Sequence, residues 1–332
     1  MAAGGPQVVL VWIGRCRLRP INLSTLLGEY WTMERRDFLL SAGAAAGLTL
    51  LPSLGRAADD QAAPAARKRL LMFTRSAGFQ HSVIARGREA EKLGHAENIL
   101  SELGRGANIE VVVTKDGRIF DSADFDQFDG YFFYTTGDLT KDNAADKSPP
   151  MSAAGKARFI KAVADGKGLV GSHCASDTFH SEGPARENQA TPDPYIALLG
   201  GEFVSHGRQQ SAKQLVADKK FPGADKLGDV FEVEEEWYSL KNFAPNLHVV
   251  LVMETEGMDG RDYARPPYPC TWARAHEKGR VFYTSLGHRE DVWTNDKFHA
   301  VVLGGLNWTL GRVEADVTPN LEQVTPEASK VS

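Results

Sequence analysis

Residues 152–177 read SAAGKARFIKAVADGKGLVGSHCASD, and the prediction of fold class starts from this stretch. Ser152 precedes apolar residues at helical spacing, and Gly166 and Gly168 then close the predicted helix. The run 169–171 that follows is short and continuously apolar, which is typical of a strand buried on both faces. A helix that leads into such a strand is the repeating unit of a parallel sheet with helices on both faces.

The same alternation of helix and strand is found upstream. Three further buried strands are predicted from the apolar runs at residues 69–74, 109–113 and 131–134. Residues 84–103 carry apolar side chains at near-helical spacing, and Gly104 and Gly106 are predicted to end that helix. Strands that alternate with helices in this order favour a parallel sheet.

After about residue 200 the pattern changes to strands with few helices between them. Five strands are predicted at residues 214–217, 231–235, 248–253, 271–275 and 280–284. Asn295 is predicted to cap a last helix over residues 298–310. The predicted fold class is therefore α/β, a mainly parallel sheet with flanking helices that is extended by antiparallel strands.

Composition narrows the classes of function. A net charge of −5 and a pI near 6.0 argue against nucleic-acid binding, because nucleic-acid-binding proteins usually carry a basic surplus. Three cysteines are too few for a disulfide scaffold, and 9% aromatic residues are too many for a disordered chain.

The N-terminal part has the features of an export signal in its twin-arginine form. Arg35-Arg36 precede a Gly/Ala-rich apolar segment and a zone of small residues. The alternative is a buried Ala-rich helix, but nothing polar gives that helix an amphipathic face. The apolar segment is too short to span a membrane. We expect cleavage after Ala57 and a periplasmic mature protein with no stable membrane span.

These features divide the chain into five parts. Met33 stands where an initiator would be expected, so the residues before it are predicted to be a mis-called upstream extension. The predicted parts are the extension 1–32, the signal 33–57, a linker 58–68, one domain 69–310 and a polar tail 311–332.

Ionisable residues follow several of the predicted strands. These residues are His81, Asp138, His173, Asp177 and His288. Ligands of open α/β sheets bind beyond the carboxyl ends of the strands, so we expect these side chains to share one edge of the sheet. Two imidazoles and a carboxylate can act as general base, general acid and orienting group.

The same region offers two further kinds of chemistry. A divalent metal could bind to donors from His173, Asp177, His206, Glu236 and His288, although no His pair has the spacing of a closed structural site. Cys174 could instead be a nucleophile, but the glycines of a nucleophile elbow are missing around it. Cys174 could also be a small buried residue, or it could form a disulfide with Cys270, which would exclude a thiolate.

Aromatic residues lie near the same segments of sequence. They are Phe79, Trp237, Tyr238, Trp272 and Trp293. Aromatic faces combined with polar side chains commonly hold sugars, while core packing is the alternative for each of them taken alone.

Eight segments together resemble the ThuA-like (trehalose-utilisation) family over residues 69–310. They are residues 71–81 (LMFTRSAGFQH), 135–138 (TTGD), 168–178 (GLVGSHCASDT), 199–203 (LGGEF) with His206, 235–238 (EEWY), 268–272 (YPCTW), 279–288 (GRVFYTSLGH) and 307–308 (NW). The resemblance implies a flavodoxin-like fold, similar to class I glutamine amidotransferases. His173 fills the position of the amidotransferase cysteine, so glutaminase chemistry is not implied. The sequence departs from the family at Cys174, where a small apolar residue is common, and at Glu235-Glu236, where an Asp-Glu pair is usual.

The resemblance also implies a function in the catabolism of trehalose-type disaccharides. It implies cleavage of 3-keto-glycosides that a partner sugar 3-dehydrogenase makes. The hypothesis gives the base role to His173 or His288, with Asp177 as orienting group and Glu236 as proton donor or metal ligand. The predicted substrate-binding residues are Phe79, His81, Asp138, His206, Tyr238 and Trp272.

Two alternatives stay open at this stage. One is a non-catalytic periplasmic protein that binds sugars or serves as an accessory. The other is a divalent-metal-dependent hydrolase of another substrate, since the sequence leaves the cofactor unidentified and a divalent metal possible.

Overall fold

The computed structural model describes residues 67–87, 92–142 and 144–331. The predicted upstream extension, the twin-arginine signal and most of the linker lie outside the described residues. Within the part of the chain that is described, no helix is both long and apolar enough to cross a membrane.

Eleven strands and six α-helices make up the described fold. The strands are β1 Lys68–Phe73, β2 Ile109–Thr114, β3 Gly130–Phe133, β4 Gly168–Ser172, β5 Glu202–His206, β6 Gln210–Val216, β7 Val230–Glu235, β8 Tyr238–Lys241, β9 His248–Met253, β10 Tyr268–His276 and β11 Gly279–Thr284. The helices are α1 His95–Gly106, α2 Ala153–Ala164, α3 Pro194–Leu199, α4 Glu290–Trp293, α5 Asp296–Thr309 and α6 Leu321–Val324.

Nine of the strands form one mixed sheet in the order β2-β1-β3-β4-β11-β10-β9-β6-β7. The first five are parallel, and the remaining strands add to them antiparallel. β5 and β8 pair in a separate two-stranded sheet. The order 2-1-3-4 followed by a fifth parallel strand is that of a flavodoxin-like sheet. The predicted α/β class with an antiparallel extension is confirmed.

The predicted strands are confirmed, and two of them begin earlier in the chain than predicted. β6 starts at Gln210 and β10 at Tyr268, several residues before their predicted starts. Asn295 caps α5 as predicted, and Ser152, which precedes the predicted helix, caps α2, since both side-chain oxygens accept hydrogen bonds from the first turns of these helices.

The predicted boundaries of the first helix are wrong. Ser82–Ile84 form a 3-10 helix instead, and α1 begins only at His95. Gly104 lies inside α1 rather than ending it. A side chain at this position would collide with Val111 of the neighbouring strand β2. A glycine in this helix therefore serves close packing of helix on strand.

The segment after α5 packs against the domain. The amide of Val249 in β9 donates to the side chain of Asn320 over 2.6 Å, and that side chain donates back to the Val249 carbonyl. Ala328 is buried, and its carbonyl accepts a hydrogen bond from Arg265. The antiparallel half of the sheet is thus covered in part by the chain's last segment.

Close packing of α5 on the loop before the 3-10 helix Ala224–Lys226 yields a stability prediction. A methyl group at Gly304 would overlap the carbonyl oxygen of Pro222, whereas one at Gly106 meets nothing within 4 Å. We expect Gly304→Ala to lower the free energy of unfolding by about 1–3 kcal/mol, the usual cost of overpacking. Gly106→Ala should leave it unchanged or raise it by up to about 1 kcal/mol through helix propensity. Urea unfolding measures both, and an unchanged midpoint for Gly304→Ala would contradict the packing argument.

Candidate active site

Three histidines and a glutamate meet beyond the carboxyl ends of the parallel strands. His81 comes after β1, His173 after β4 and His288 after β11, while Glu236 follows β7. One ring nitrogen of each histidine and one carboxylate oxygen of Glu236 all lie within 4.8 Å of one another. These four residues are called the His/Glu cluster below.

His173 occupies the left-handed region, with φ of 45°. This conformation costs of order 1–3 kcal/mol for a residue with a side chain, so its surroundings must hold it. The carbonyl of His173 accepts a hydrogen bond from the Tyr283 hydroxyl at 2.8 Å, and the hydroxyl of Ser172 donates to Leu286. These bonds fix the turn between β4 and the next 3-10 helix, and the imidazole points to the cluster.

The hydrogen bonds of His173 define its neutral tautomer. Its Nδ1 lies 3.0 Å from the carbonyl oxygen of Ser285, which can only accept, so Nδ1 carries the proton. Nε2 then holds a lone pair, 3.3 Å from Nδ1 of His288 and 3.5 Å from Oε2 of Glu236. The lone pair of a completely buried imidazole is thus directed at the centre of the cluster.

Glu236 connects the cluster to a more exposed histidine. Its Oε2 lies 3.1 Å from Nδ1 of His288, and its Oε1 lies 3.3 Å from Nδ1 of His206. Burial alone would raise the pKa of Glu236, but the neighbouring imidazoles of His173 and His288 lower it well below the usual range. Glu236 is therefore ionised at neutral pH.

Glu235 fixes the loop that carries His288. Its buried Oε2 accepts hydrogen bonds from the amides of Gly287 at 2.8 Å and His288 at 3.0 Å. Burial raises the pKa of Glu235. Burial would lower the pKa of His288, but the hydrogen bond and negative charge of Glu236 raise it.

The other ring nitrogen of His288 contacts Gln209. Nε2 of His288 lies 3.0 Å from Nε2 of Gln209, whose Oε1 accepts a hydrogen bond from Arg289 at 2.8 Å. Sequence reasoning did not identify Gln209, because it is one polar residue in a short loop between two strands. Only the fold shows that this loop passes beside His288.

His81 is a buried member of the cluster. Burial, with added repulsion from His173 and His288, lowers the pKa of His81 to about 2, so it is neutral. Its Nδ1 has no hydrogen-bond partner among the described residues. Phe79 packs edge-on against its ring at 5.0 Å and is 68% exposed, so it offers an aromatic surface beside the cluster.

Tyr238 lies between the cluster and its aromatic surroundings. Its ring centroid is 4.1 Å from that of His173, and its hydroxyl is 3.5 Å from Nε2 of His81. The ring centroid of Phe203, which lies in the family segment 199–203, is 4.2 Å from that of Tyr238. Two predicted substrate-binding residues, His81 and Tyr238, therefore meet at the cluster.

Three other predicted site residues are not among the four donors. Asp138 is bound by the hydroxyl of Thr140 at 2.6 Å. Asp177 lies 2.6 Å from Nε2 of His180, and hydrogen bonds that His180 donates to Asp177 and Glu202 raise the pKa of His180 to about 9. Trp272 is completely buried.

The three predicted tryptophans belong to the core. Trp237, Trp272 and Trp293 have no measurable exposed surface. The indole N–H of Trp272 donates to the carbonyl of Leu199 at 2.9 Å, and its ring packs 4.3 Å from Tyr283. The core-packing alternative therefore applies to them in this structure.

Cys174 and Cys270 are both buried free thiols. No disulfide joins them, contrary to one of the sequence-based alternatives. Burial raises the pKa of Cys174 well above its ordinary value, which opposes the thiolate that a nucleophile needs. The structure thus favours the interpretation of Cys174 as a small buried residue rather than a nucleophile.

The fold and the site define a class of protein: a flavodoxin-like α/β domain with ionisable residues at the carboxyl edge of its parallel strands. A family model described as ThuA, trehalose utilisation, matches residues 69–309, and the chain belongs to this family. No curated protein matches the sequence.

Two solved structures support the fold. A ThuA-like protein from Bacteroides uniformis is 17% identical, with a TM-score of 0.51 over 74% of this chain and 93% of that chain. A ThuA-like protein from Parabacteroides merdae is 17% identical, with a TM-score of 0.52 over 76% of this chain and 92% of that chain.

The burial of the two thiols predicts their reactivity. In the native protein at neutral pH, Cys174 and Cys270 should resist iodoacetamide, because both are buried and burial raises the pKa of each thiol. After denaturation without reductant, peptide mass mapping should find both alkylated. Rapid native labelling of Cys174, or a peptide that links the two cysteines, would contradict the structure.

The coupling between Glu236 and His288 predicts a shift in titration. Glu236→Gln removes the negative charge that favours imidazolium, so the pKa of His288 should fall and less of it should be protonated at a given pH. NMR titration of the imidazole nitrogens measures this change. The pKa of His180, which depends on Asp177 and Glu202, serves as the internal control and should stay near 9. An unchanged His288 would refute the coupling.

Proposed function

We propose that this protein cleaves oxidised, 3-keto glycosides of the trehalose type by acid–base chemistry at the His/Glu cluster. Family membership supports a function in carbohydrate utilisation. The observation that carries the reaction type is the Glu236 carboxylate, which lies within 3.5 Å of three imidazoles, His173, His206 and His288. The proposal includes export through the twin-arginine route and supply of the substrate by a sugar 3-dehydrogenase.

A ketone at C3 of a sugar makes this chemistry accessible to an imidazole. The ketone acidifies the C2–H bond, so a base can take that proton and leave an enolate. The enolate then expels the substituent at C1 as the C1–O bond breaks, and the departing oxygen takes up a proton. Addition of water to the resulting double bond completes a net hydrolysis.

The geometry favours His206 as the base. Its Nδ1 lies 3.0 Å from the carbonyl of Gly207 and 3.3 Å from Oε1 of Glu236, and both oxygens are acceptors. In the neutral ring the proton is therefore on Nδ1, and Nε2 keeps a lone pair. The side chain of His206 is 43% exposed, whereas that of His173 is completely buried. A substrate can reach His206 more readily, so we move the base role from His173 or His288 to His206.

The remaining roles follow from charge. Glu236 is ionised and cannot be the proton donor, so it orients His206 and balances the positive charge that His206 gains with the substrate proton. His206 can return that proton to the departing oxygen. His288, whose pKa Glu236 raises, stabilises the negative charge of the enolate. Asp177 is held by His180, so we give it no part in orienting the base.

Phe79 supports a carbohydrate as the ligand. It is the most exposed of the large apolar side chains among the described residues, and it stands directly beside His81. Aromatic faces pack well against the C–H faces of sugar rings, so this exposure suits a binding surface. Phe79 would hold one ring of the disaccharide while the other meets the cluster.

Replacement of His206 tests the proposed base. His206→Ala should lower kcat for a 3-keto-disaccharide by roughly 10²–10⁴-fold, the usual range for loss of a general base. His180→Gln is the matched control: its histidine is equally exposed at 43% and also bound to carboxylates, and it should keep wild-type kcat.

Three outcomes would overturn the proposal. A wild-type rate for His206→Ala would remove His206 as the base. Tight calorimetric binding of unoxidised disaccharide with no turnover of either sugar would favour the non-catalytic sugar-binding alternative. Turnover confined to a substrate of another class would favour the alternative hydrolase.

A further inference from the structure

We infer that the His/Glu cluster is a binding site for one first-row transition-metal dication, of the class of Zn²⁺, Fe²⁺ or Co²⁺. This inference goes beyond the proposed function and does not rest on it. It depends on the spacing of the donor atoms, on what holds each donor in place, and on the chemistry of the set.

The spacing of three donor atoms matches a face of a coordination sphere. Nδ1 of His288, Nε2 of His173 and Oε2 of Glu236 are 3.1, 3.3 and 3.5 Å apart. Ligands bound to one tetrahedral ion at about 2.0–2.1 Å are separated by roughly 3.4 Å. These three atoms therefore already stand at the separations that a shared ion imposes.

The fourth donor comes from His81. One of its ring nitrogens lies within 4.8 Å of the other three donor atoms, and its side chain is 98% buried, since only 2% is exposed. Its Nδ1 has no hydrogen-bond partner among the described residues. A buried imidazole with an unsatisfied nitrogen is costly unless a ligand supplies the missing interaction.

Groups behind the donors orient two of them as they do in metal sites. Metal-binding histidines usually give their second ring proton to a carbonyl or carboxylate, and ligating carboxylates are hydrogen-bonded in turn. His173 donates from Nδ1 to the carbonyl of Ser285, and Glu236 uses its second oxygen for His206. The atoms left for an ion are Nε2 of His173 and Oε2 of Glu236.

The side-chain amide of Gln209 must be oriented differently in the metal-bound protein and in the metal-free protein. Its amide nitrogen now faces Nε2 of His288, so in the neutral ring the His288 proton is on Nδ1, inside the cluster. An ion on Nδ1 moves that proton to Nε2, and the Gln209 amide must turn by about 180° to accept it. Metal binding and the orientation of Gln209 are thus coupled.

The donor set selects the class of metal. Imidazole nitrogens suit zinc, iron, cobalt, nickel and copper, whereas Mg²⁺ and Ca²⁺ prefer sites made of oxygen. With a dication bound, the three imidazoles of the cluster, that of His288 included, are neutral, and with the carboxylate they leave the site a net charge of +1. His206 is outside the set, so its Nε2 stays free for a proton.

Cobalt binding to the full-length chain tests the inference directly. After treatment with chelator and its removal, the protein should bind about one equivalent of Co²⁺ with visible d–d absorption, since four protein donors hold the ion. Zn²⁺ should displace the Co²⁺ and bleach the spectrum, while Mg²⁺ and Ca²⁺ should not. Absence of a stoichiometric Co²⁺ spectrum, or displacement by Mg²⁺, would overturn the inference.

Variants assign the site to these residues. Glu236→Gln and His288→Ala should weaken Co²⁺ binding by more than about 100-fold. Gln209 contacts the donor His288 rather than the ion, so Gln209→Ala should weaken Co²⁺ binding by roughly 10–100-fold. His180→Gln should bind Co²⁺ like the wild type. Circular dichroism and urea unfolding identify variants that fail to fold, and Glu236→Gln keeps the volume of the side chain that it replaces. Wild-type affinity in folded Glu236→Gln, or equal loss in His180→Gln, would refute the site.

The two proposals fail in different ways. Turnover of a 3-keto-disaccharide by protein that binds no Co²⁺ would refute the metal site and leave the proposed function in place. Stoichiometric Co²⁺ binding without turnover of any keto-glycoside would support the metal site and refute the proposed function.

Discussion

The parallel pairing of β4 with β11 is the constraint on which the site depends. It aligns Ser172 with Thr284. The residues that follow these two strands, His173 and the loop to His288, are thereby brought to one edge although more than 100 positions separate them in the chain. Parallel strands cannot be joined by a short turn, so the intervening chain has room for the antiparallel extension and for Glu236. The topology that makes the sheet thus also assembles the cluster.

Glu235 and Glu236 are neighbours with opposite uses. Glu235 turns inward and binds the backbone of the loop that carries His288, while Glu236 faces the imidazoles. Successive residues at a strand end point to opposite sides, so a pair of adjacent carboxylates can serve the loop and the site at once. Displacement of Glu235 would therefore disturb His288 even though Glu235 is not one of the four donors.

Hydrophobic runs were enough to predict the fold class and all nine strands of the main sheet, although not β5 and β8 of the two-stranded sheet, because buried strands are rich in apolar residues. His81, His173 and His288 were predicted to share an edge for the same reason. The position of Gln209, the exposure of His206 and the pairing of Asp177 with His180 could not be predicted. They depend on which loops cross the edge and on local pairs such as Asp177 with His180, and neither has a periodic signal in the sequence.

Four ionisable side chains within 4.8 Å of one another work against stability. Burial of a polar group without a full set of partners costs free energy, and His173 adds a left-handed backbone. Apolar residues at these positions would extend the core of aromatic and aliphatic side chains that surrounds them. Ordinary folding therefore does not explain the cluster, whereas a ligand or a transferred proton does, because each supplies in the working protein the interactions that the isolated fold leaves unmet.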